Sequence, residues 1–522
     1  MDKLKQDNDH VDIVLIYPQL GSFDNIIRDI PLSLIYAATD SVKNGYNVKI
    51  LDLRVKAINW KQKLDNYINK GASLIGLSVM TGNPIMTSLE ISRYIKSKYR
   101  VPIVWGGAHP TILPEQTLEN ENIDYVIRDW GSVALFKLIS HLKNKSVSKK
   151  DIVGLGYKEN GKIILNPPVC SFEMPDFKDL PYDLVDINGD NYNRLANGEI
   201  LLPIFTAMGC PYKCTFCMSP AVYEKVKGKK WIAYESENVL EHIEYLYKRY
   251  NFHRLQIYDD DSFVDQNRLH DFLTEYIRRG FPKKFKLDFR GARINELDKM
   301  DDEFFRLMVD ANVELLAIGA ESGSPRSLKI MNKGITVEQT IRVNQKFAKF
   351  PSLKPHYNFF CGIPGETFED LLETKKIIMR LVKENPHCYL GVGADWKPLP
   401  GTVMTDMAVR DYNLKLPGNL EEWANIDSFD AVKIVHPWYS KKLNNMIKLL
   451  QISGMLLDRK IIDFRRDLGV ILGNSVYLLS LLYKPFLLLR LKFNFTSFLF
   501  EYNIKNFVIH NIGKLLKSNK LK

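Results

Sequence analysis

Three of the chain's six cysteines stand within eight residues, as Cys210-x3-Cys214-x2-Cys217. No other feature constrains the chain as much, because thiols this close imply a shared metal group. A structural zinc site takes four ligands, in paired Cys-x2-Cys or Cys/His sets. No further Cys or His lies between Cys170 and His242, so a closed zinc knuckle would need a distant fourth ligand. A cubane iron–sulfur cluster usually takes four thiolates. With three, one iron is left open for a substrate or cofactor.

The chain has 522 residues, too many for one ordinary core, so two or three domains are expected. Hydrophobic residues make up 45% and charged residues 25%, as in globular proteins. Cysteines gathered in one thiol cluster fit a reducing compartment and exclude a disulfide scaffold. Met1 to His10 is polar and lacks the apolar core of a secretory signal, so a cytoplasmic start is expected. The net charge of +11 is local. Ala431 to Lys522 holds 16 Lys/Arg against 4 Asp/Glu, which leaves the rest of the chain close to neutral.

Apolar runs at Asp12–Pro18, Val48–Leu53, Ser73–Met80, Pro102–Trp105 and Tyr125–Ile127 alternate with helical stretches at Pro31–Lys43 and Ile85–Tyr99. That alternation predicts a Rossmann-like doubly wound parallel sheet, whose ligands bind at the strands' carboxyl ends. Residues 143–198, rich in Lys, Asn, Asp, Pro and Gly, read as a linker. A hairpin is expected within it, at Gly154–Tyr157 and Lys162–Leu165. From residue 199 strands and helices alternate again. Strands are expected at Leu201–Thr206, Arg254–Tyr258, Lys286–Arg290, Leu315–Ile318, Tyr357–Cys361 and Tyr389–Asp395. Several end in polar or glycine-rich clusters, as in a partial (β/α) barrel with its site at the strand C-termini.

The composition changes after about residue 420. Leu443–Asp467 reads as helix. Leu468–Tyr483 is uncharged and mostly apolar, interrupted by Gly473-Asn474-Ser475 and stopped by Lys484-Pro485. It is shorter than the ~20 apolar residues a membrane span needs. Phe486–Phe500 interleaves Leu and Phe with Arg490 and Lys492. Two readings stay open, an interfacial anchor in peripheral contact with a membrane and a helical cap packed on the barrel. Basic residues interleaved with so much apolar surface argue against nucleic acid.

The cysteine spacing, with Phe216 before the last cysteine, resembles the radical S-adenosylmethionine (SAM) enzymes. The first segment resembles the cobalamin-binding Rossmann domain that many of them carry. Its resemblance rests on Pro31-Leu32-Ser33-Leu34, Ser78-x-Met80 and Gly106-Gly107. The resemblance implies four regions. Residues 1–142 form the cobalamin-binding-like domain, 143–198 a linker, 199–420 the radical SAM domain and 421–522 a helical C-terminal region.

It further implies that Cys210, Cys214 and Cys217 hold a [4Fe-4S] cluster whose open iron chelates SAM. Asp260, in Asp259-Asp260-Asp261-Ser262-Phe263, matches an acidic segment near SAM. Glu321 matches the acid that accepts hydrogen bonds from its ribose. Gly362, Ile363 and Gly365 match the backbone element that receives its adenine. Ser78, Gly106 and Gly107 match segments lying against the nucleotide tail of cobalamin, although both glycines also suit a tight turn. Arg293 is either part of the SAM site or a structural partner for its carboxylates, and His109 reads as a packed histidine. No residue is assigned to catalysis, and Cys170, Cys361 and Cys388 are assigned no chemistry.

Two departures stand out. The loop Gly21–Ile30 lacks Asp-x-His-x-x-Gly, and Asp129-Trp130-Gly131-Ser132 replaces a Gly-Glu-Gly-Glu-like segment. The expected function is SAM cleavage to a 5′-deoxyadenosyl radical, with cobalamin-dependent methylation of an unactivated carbon in an apolar or lipid-like substrate. Ferredoxin or flavodoxin is the kind of electron donor implied. The expected location is cytoplasmic, at the inner membrane face if the tail is an anchor. Non-methylating radical chemistry is the first alternative, and a non-catalytic cobalamin or cluster sensor the second. A tRNA methylthiotransferase would need a second cluster, and residues 1–169 contain no cysteine.

Overall fold

The computed structural model describes residues 10–21, 24, 29–55, 59–171, 174–189, 192, 198–426, 436–458 and 470–504. The first apolar runs form strands β1 (Ile13–Tyr17), β2 (Val48–Asp52), β3 (Leu74–Ser78), β4 (Ile103–Gly106) and β5 (Tyr125–Ile127). All five pair in parallel. Helices Leu32–Lys43 and Ser132–Asn144 cover one face and Asn83–Lys98 the other. Burial on both faces is why Ile13 to Ile16 are continuously apolar. The hairpin β6 (Leu155–Glu159) and β7 (Lys162–Leu165) extends this sheet antiparallel. The order is β2-β1-β3-β4-β5-β6-β7, so the sheet continues past residue 142. Strand order reverses at β1 and β3, the crevice where doubly wound sheets bind ligands.

The second sheet has the order β15-β14-β13-β12-β11-β8. Its strands are β8 (Leu201–Ile204), β11 (Arg254–Ile257), β12 (Lys286–Arg293), β13 (Val313–Glu321), β14 (Lys354–Cys361) and β15 (Tyr389–Asp395). Every neighbouring pair is parallel. β8 and β15 remain edges, so the barrel is partial. A short antiparallel pair, β9 (Ala207–Gly209) and β10 (Trp231–Ala233), stands at its mouth.

The segment read as a linker is packed. Phe177, Leu180, Tyr182, Val185 and Ile187 are buried in the main core. Tyr182 Oη lies 3.0 Å from His242 Nε2, and Phe177 stacks on the His242 ring at 4.9 Å. Apolar residues spaced among the prolines and aspartates make this strap. After the barrel, Leu420, Trp423, Ala424 and Ile426 pack into the core of the first domain.

Helix Lys441–Leu456 lies against β15, and the part of the expected helix beyond residue 458 falls outside the described residues. The stop expected at Lys484-Pro485 is absent. One helix of 24 residues, Val470–Phe493, runs through Pro485. Proline removes one backbone hydrogen bond, but buried Leu487 and Leu491 hold the helix to the core. The Lys375 ammonium also donates to the Leu491 carbonyl at 2.8 Å. No described helix is long and apolar enough to cross a membrane.

Candidate active site

The cysteine loop follows β9 at the barrel mouth and is fastened from behind. Thr215 donates through its backbone to the Met331 carbonyl at 3.0 Å and through its hydroxyl to that of Ile330 at 2.8 Å. Asn332 donates to the Lys213 carbonyl at 2.8 Å. Cys217 caps the helix Met218–Val222, its sulfur accepting from the Ser219 amide at 3.4 Å. Cys214 is buried, and Arg293 Nη1 donates to its sulfur at 3.2 Å. The same guanidinium lies 3.6 Å over the Tyr212 ring and donates to the Lys333 carbonyl. Arg293 therefore braces the cysteine loop and hydrogen-bonds none of the carboxylates offered to it by sequence reading.

Among the described residues, no three His, Cys, Asp or Glu side chains converge on a single-ion site. Thiols spread along a loop suit a cluster in which each ligand takes a different iron better than one tetrahedral zinc. Burial pushes the Cys210 thiol up to about 12 and raises that of Cys217. Their thiolate forms therefore need an adjacent positive charge, which a bound iron–sulfur group supplies. The donor set fits such a group.

The three aspartates after β11 separate by direction. Asp259 is fully buried and accepts from the Thr206 and Ala207 amides at 2.6 and 3.0 Å, so it roots the turn between β8 and β9. Asp261 is buried beside Glu296, and burial and that neighbour raise its pKa well above the usual carboxylate range. Asp260 faces the mouth, accepting from Tyr223 Oη at 3.0 Å and Ser219 Oγ at 3.2 Å. Burial raises its pKa as well.

Glu321 ends β13 with φ +61°, a conformation uncommon outside glycine and often found at functional positions. Its carboxylate pairs with buried Lys333 Nζ at 2.7 Å. A Cβ on Gly319 would collide with both side chains. Sequence reading missed Lys333, which is twelve residues away and joins Glu321 only through the turn after the helix Pro325–Ile330.

Gly362 and Gly365 have φ of +78° and +76°. Their bare faces are occupied by the Tyr439 and Tyr412 hydroxyls, where any Cβ would collide. These two aromatics, carried by the chain beyond the barrel, pack closely over the two glycines. Ile363 is fully buried in a small apolar cluster with Met331, Trp396 and Met404, and Phe216 packs on it. Phe216 also meets Phe360 edge-on at 4.7 Å. The fold therefore joins the cysteine loop to the Gly362–Gly365 segment through one aromatic contact zone.

A cavity of about 980 Å³ separates the two sheets. Its first wall carries Ser33, Ser78, Gly106 and Gly107, and its second Gly209, Met218, Ser219, Tyr223 and Asp260. Among the described site residues, Glu321, Gly362, Ile363, Gly365 and the three cysteines Cys210, Cys214 and Cys217 do not line it; the cysteine loop borders it through Gly209 and Met218 on either side. A Cβ on Gly106 would meet only the Ile127 carbonyl oxygen, at 3.6 Å, so this glycine leaves its face open to the cavity. Gly107 differs. It has φ +99°, and a Cβ there would meet the Val79 carbonyl oxygen and nitrogen at 2.8 and 2.9 Å. Its first requirement is the turn and the close strand contact, not a ligand. His109 is buried, its Nδ1 3.0 Å from Thr81 Oγ1. Burial lowers its pKa to about 4, consistent with a packed histidine.

Family models match the chain in two places, the radical SAM superfamily over residues 204–378 and the B12 binding domain over residues 20–139. A curated relative named as an uncharacterized methyltransferase of Pyrococcus horikoshii is 27% identical over 450 residues, 85% of this chain and 92% of the relative. Cytidylyl-2-hydroxyethylphosphonate methyltransferase of Streptomyces wedmorensis is 23% identical over 395 residues, 65% of this chain and 71% of that one. Anaerobic magnesium-protoporphyrin IX monomethyl ester cyclase of Cereibacter sphaeroides is 25% identical over 283 residues, 52% of this chain and 44% of that one. Among solved structures, the cobalamin-dependent SAM radical enzyme OxsB with aqua-cobalamin and SAM bound superposes with a TM-score of 0.70. It is 18% identical and covers 98% of this chain and 75% of its own. The methyltransferase TsrM of Kitasatospora setae, with cobalamin and a [4Fe-4S] cluster bound, has a TM-score of 0.62 at 20% identity, covering 78% of this chain and 76% of its own. These likenesses agree with the fold and with both domain matches. The chain carries a B12 binding domain over residues 20–139 and a radical SAM domain over residues 204–378.

Proposed function

We propose that this protein is a cobalamin-dependent radical SAM methyltransferase acting on an unactivated carbon of an apolar or lipid-like substrate. The observation that carries the reading is a cavity lined by both domains, with Gly106 on one wall and Gly209 and Met218, which flank the cysteine loop, on the other. A [4Fe-4S] cluster on Cys210, Cys214 and Cys217 would supply the electron that cleaves SAM to a 5′-deoxyadenosyl radical, and cobalamin the methyl group. A ferredoxin- or flavodoxin-like donor would supply that electron in turn.

The chain's own residues bind, orient and exclude water. Asp260 offers a carboxylate to the ammonium or hydroxyls of SAM. Glu321, pinned by Lys333, offers a second one in a fixed direction. Arg293 holds the Cys214 sulfur with an N–H donor. The open Gly106 face and the Ser33 and Ser78 hydroxyls, 3.4 Å apart, provide small neutral backing for a bulky cofactor. The cavity's remaining lining is mainly apolar, including Leu34, Val104, Phe205 and Val222, which suits an apolar substrate. Such a substrate would be met at a bilayer surface.

The cyclase among the relatives favours a second reading, in which the radical reorganises the substrate without methylation. Anaerobic purification with metal analysis, followed by product mass after feeding SAM labelled in its methyl group, separates the two. About four irons and one cobalt per chain with a labelled methyl in the product supports the proposal. Iron with SAM cleavage but no cobalt supports the second reading.

A further inference from the structure

The C-terminal segment presents an apolar surface that nothing among the described residues covers. Helix Val470–Phe493 turns Leu487 and Leu491 inward and Leu478, Leu482, Leu489 and Phe493 outward. Outward residues at spacings of four and seven share one face of a helix. Leu482 is 70% exposed and Phe493 68%. Phe495, Phe498 and Phe500 continue the exposed set beyond the helix, with Phe498 at 85%. Exposed apolar residues scattered singly are ordinary, but a run of them marks an interaction surface.

The turn that carries these phenylalanines is a built structure. Arg490 is buried and ion-paired with Glu501 at 2.9 Å. Its terminal nitrogens donate to the carbonyls of Phe495, Ser497 and Phe498 at 3.1, 2.8 and 2.9 Å. Phe498 adopts φ +53°, where a bulky residue stays only under constraint. The fold thus holds strain at the position where it turns a phenylalanine into solvent.

Charge distinguishes between occupants. Glu501 is the only carboxylate between residues 470 and 504, and Arg490 pairs with it. Lys492 is exposed beside Phe493, and Lys448 lies 5.4 Å from the centre of the Tyr502 ring. In sequence, Lys505, Lys514, Lys517, Lys520 and Lys522 follow with no acidic residue. Apolar side chains with exposed Lys492 beside them and a lysine-rich continuation in sequence complement anionic headgroups over an acyl layer. Since no described helix is long and apolar enough to cross a bilayer, such a segment would lie along one.

We propose that the outer face of helix Val470–Phe493 and the Arg490-centred phenylalanine turn form a membrane-docking surface selective for anionic bilayers. This deepens the reading of a substrate met at a bilayer. Its test measures vesicle binding and not turnover, so either reading can fail alone. The full-length protein is co-sedimented with phosphatidylcholine vesicles with and without phosphatidylglycerol. The wild type should partition onto the anionic vesicles, at least about ten-fold more weakly onto neutral ones, and less as salt rises from about 0.1 M to about 1 M and the Debye length falls from ~10 to ~3 Å. A triple variant, F495S, F498S and F500S, should lose binding at least ten-fold while keeping its circular dichroism and iron content. A second variant, L482S with L489S, tests the helix face without touching the turn. Wild-type protein left in the supernatant overturns the proposal, as does wild-type binding retained by both variants. Self-association abolished by the same substitutions also overturns it, in favour of a second copy as the occupant.

Discussion

The cavity wall built by the N-terminal sheet presents Ser33, Ser78, Gly106 and Gly107, whereas the wall built by the barrel presents Ser219, Tyr223 and Asp260 and backs onto three cysteines. At the strand ends the first offers small side chains and bare backbone, with Asp40, Lys43, Asp129 and Lys137 farther round the same lining. On the second, burial raises the pKa values of Asp260 and Tyr223 in the wall and of Cys210 and Cys217 behind it, as it does for Asp129 across the cavity. The contrast suggests a division of labour. One side leaves room for bulk, and the other holds ionisable groups whose charged forms a bound partner would stabilise.

Breaking the barrel wall should have the largest effect. Cys210→Ala, Cys214→Ala or Cys217→Ala should each abolish the iron–sulfur absorption and SAM cleavage while cobalt binding by the other domain persists. Cobalt lost along with iron would mean the walls are not independent. On the N-terminal wall, neighbouring glycines should part company. Gly107→Ala forces a side chain at φ +99° against Val79, which should destabilise the protein by ~1–3 kcal/mol in thermal or urea unfolding. A Cβ on Gly106 meets nothing nearer than the Ile127 carbonyl oxygen at 3.6 Å, so Gly106→Val should keep its stability while cobalt content falls. Equal effects on stability would erase the distinction drawn between them.

Asp260→Asn should raise the SAM concentration needed for cleavage by about 10- to 100-fold, the weight of one hydrogen bond to a charged partner, with iron content unchanged. Behind the barrel wall, Glu366 is raised to about 8, chiefly by burial. The folded protein then holds a proton that the unfolded chain releases near the ordinary Glu value. Stability from this group is full below that value and is lost as pH rises through about 8. Wild-type melting temperature should therefore fall more between pH 5.5 and pH 8.5 than that of Glu366→Gln.

How much of this was legible depended on the range of the contacts. The parallel strands announced themselves through local runs such as Ile13-Val14-Leu15-Ile16, and the barrel strand ends through Asp259-Asp260-Asp261 and Gly319-Ala320-Glu321. The cysteine motif was readable because its residues are adjacent. Lys333 on Glu321, Arg293 on Cys214, and Tyr439 and Tyr412 over the two glycines are meetings between distant segments, and no local pattern encodes them. Composition misread residues 174–189, where a handful of apolar side chains outweighs the surrounding polar ones. The turn signal at Lys484-Pro485 gave way to the packing of Leu487 and Leu491.

The central claim is that the thiols at 210, 214 and 217 would hold a four-iron cluster with one iron left for SAM. Electron paramagnetic resonance of the anaerobically reconstituted, reduced protein, with and without SAM, tests it directly. The account predicts a cubane signal that changes when SAM is added and disappears in each cysteine variant. A signal indifferent to SAM, or stoichiometric zinc bound by the same three cysteines, would contradict it.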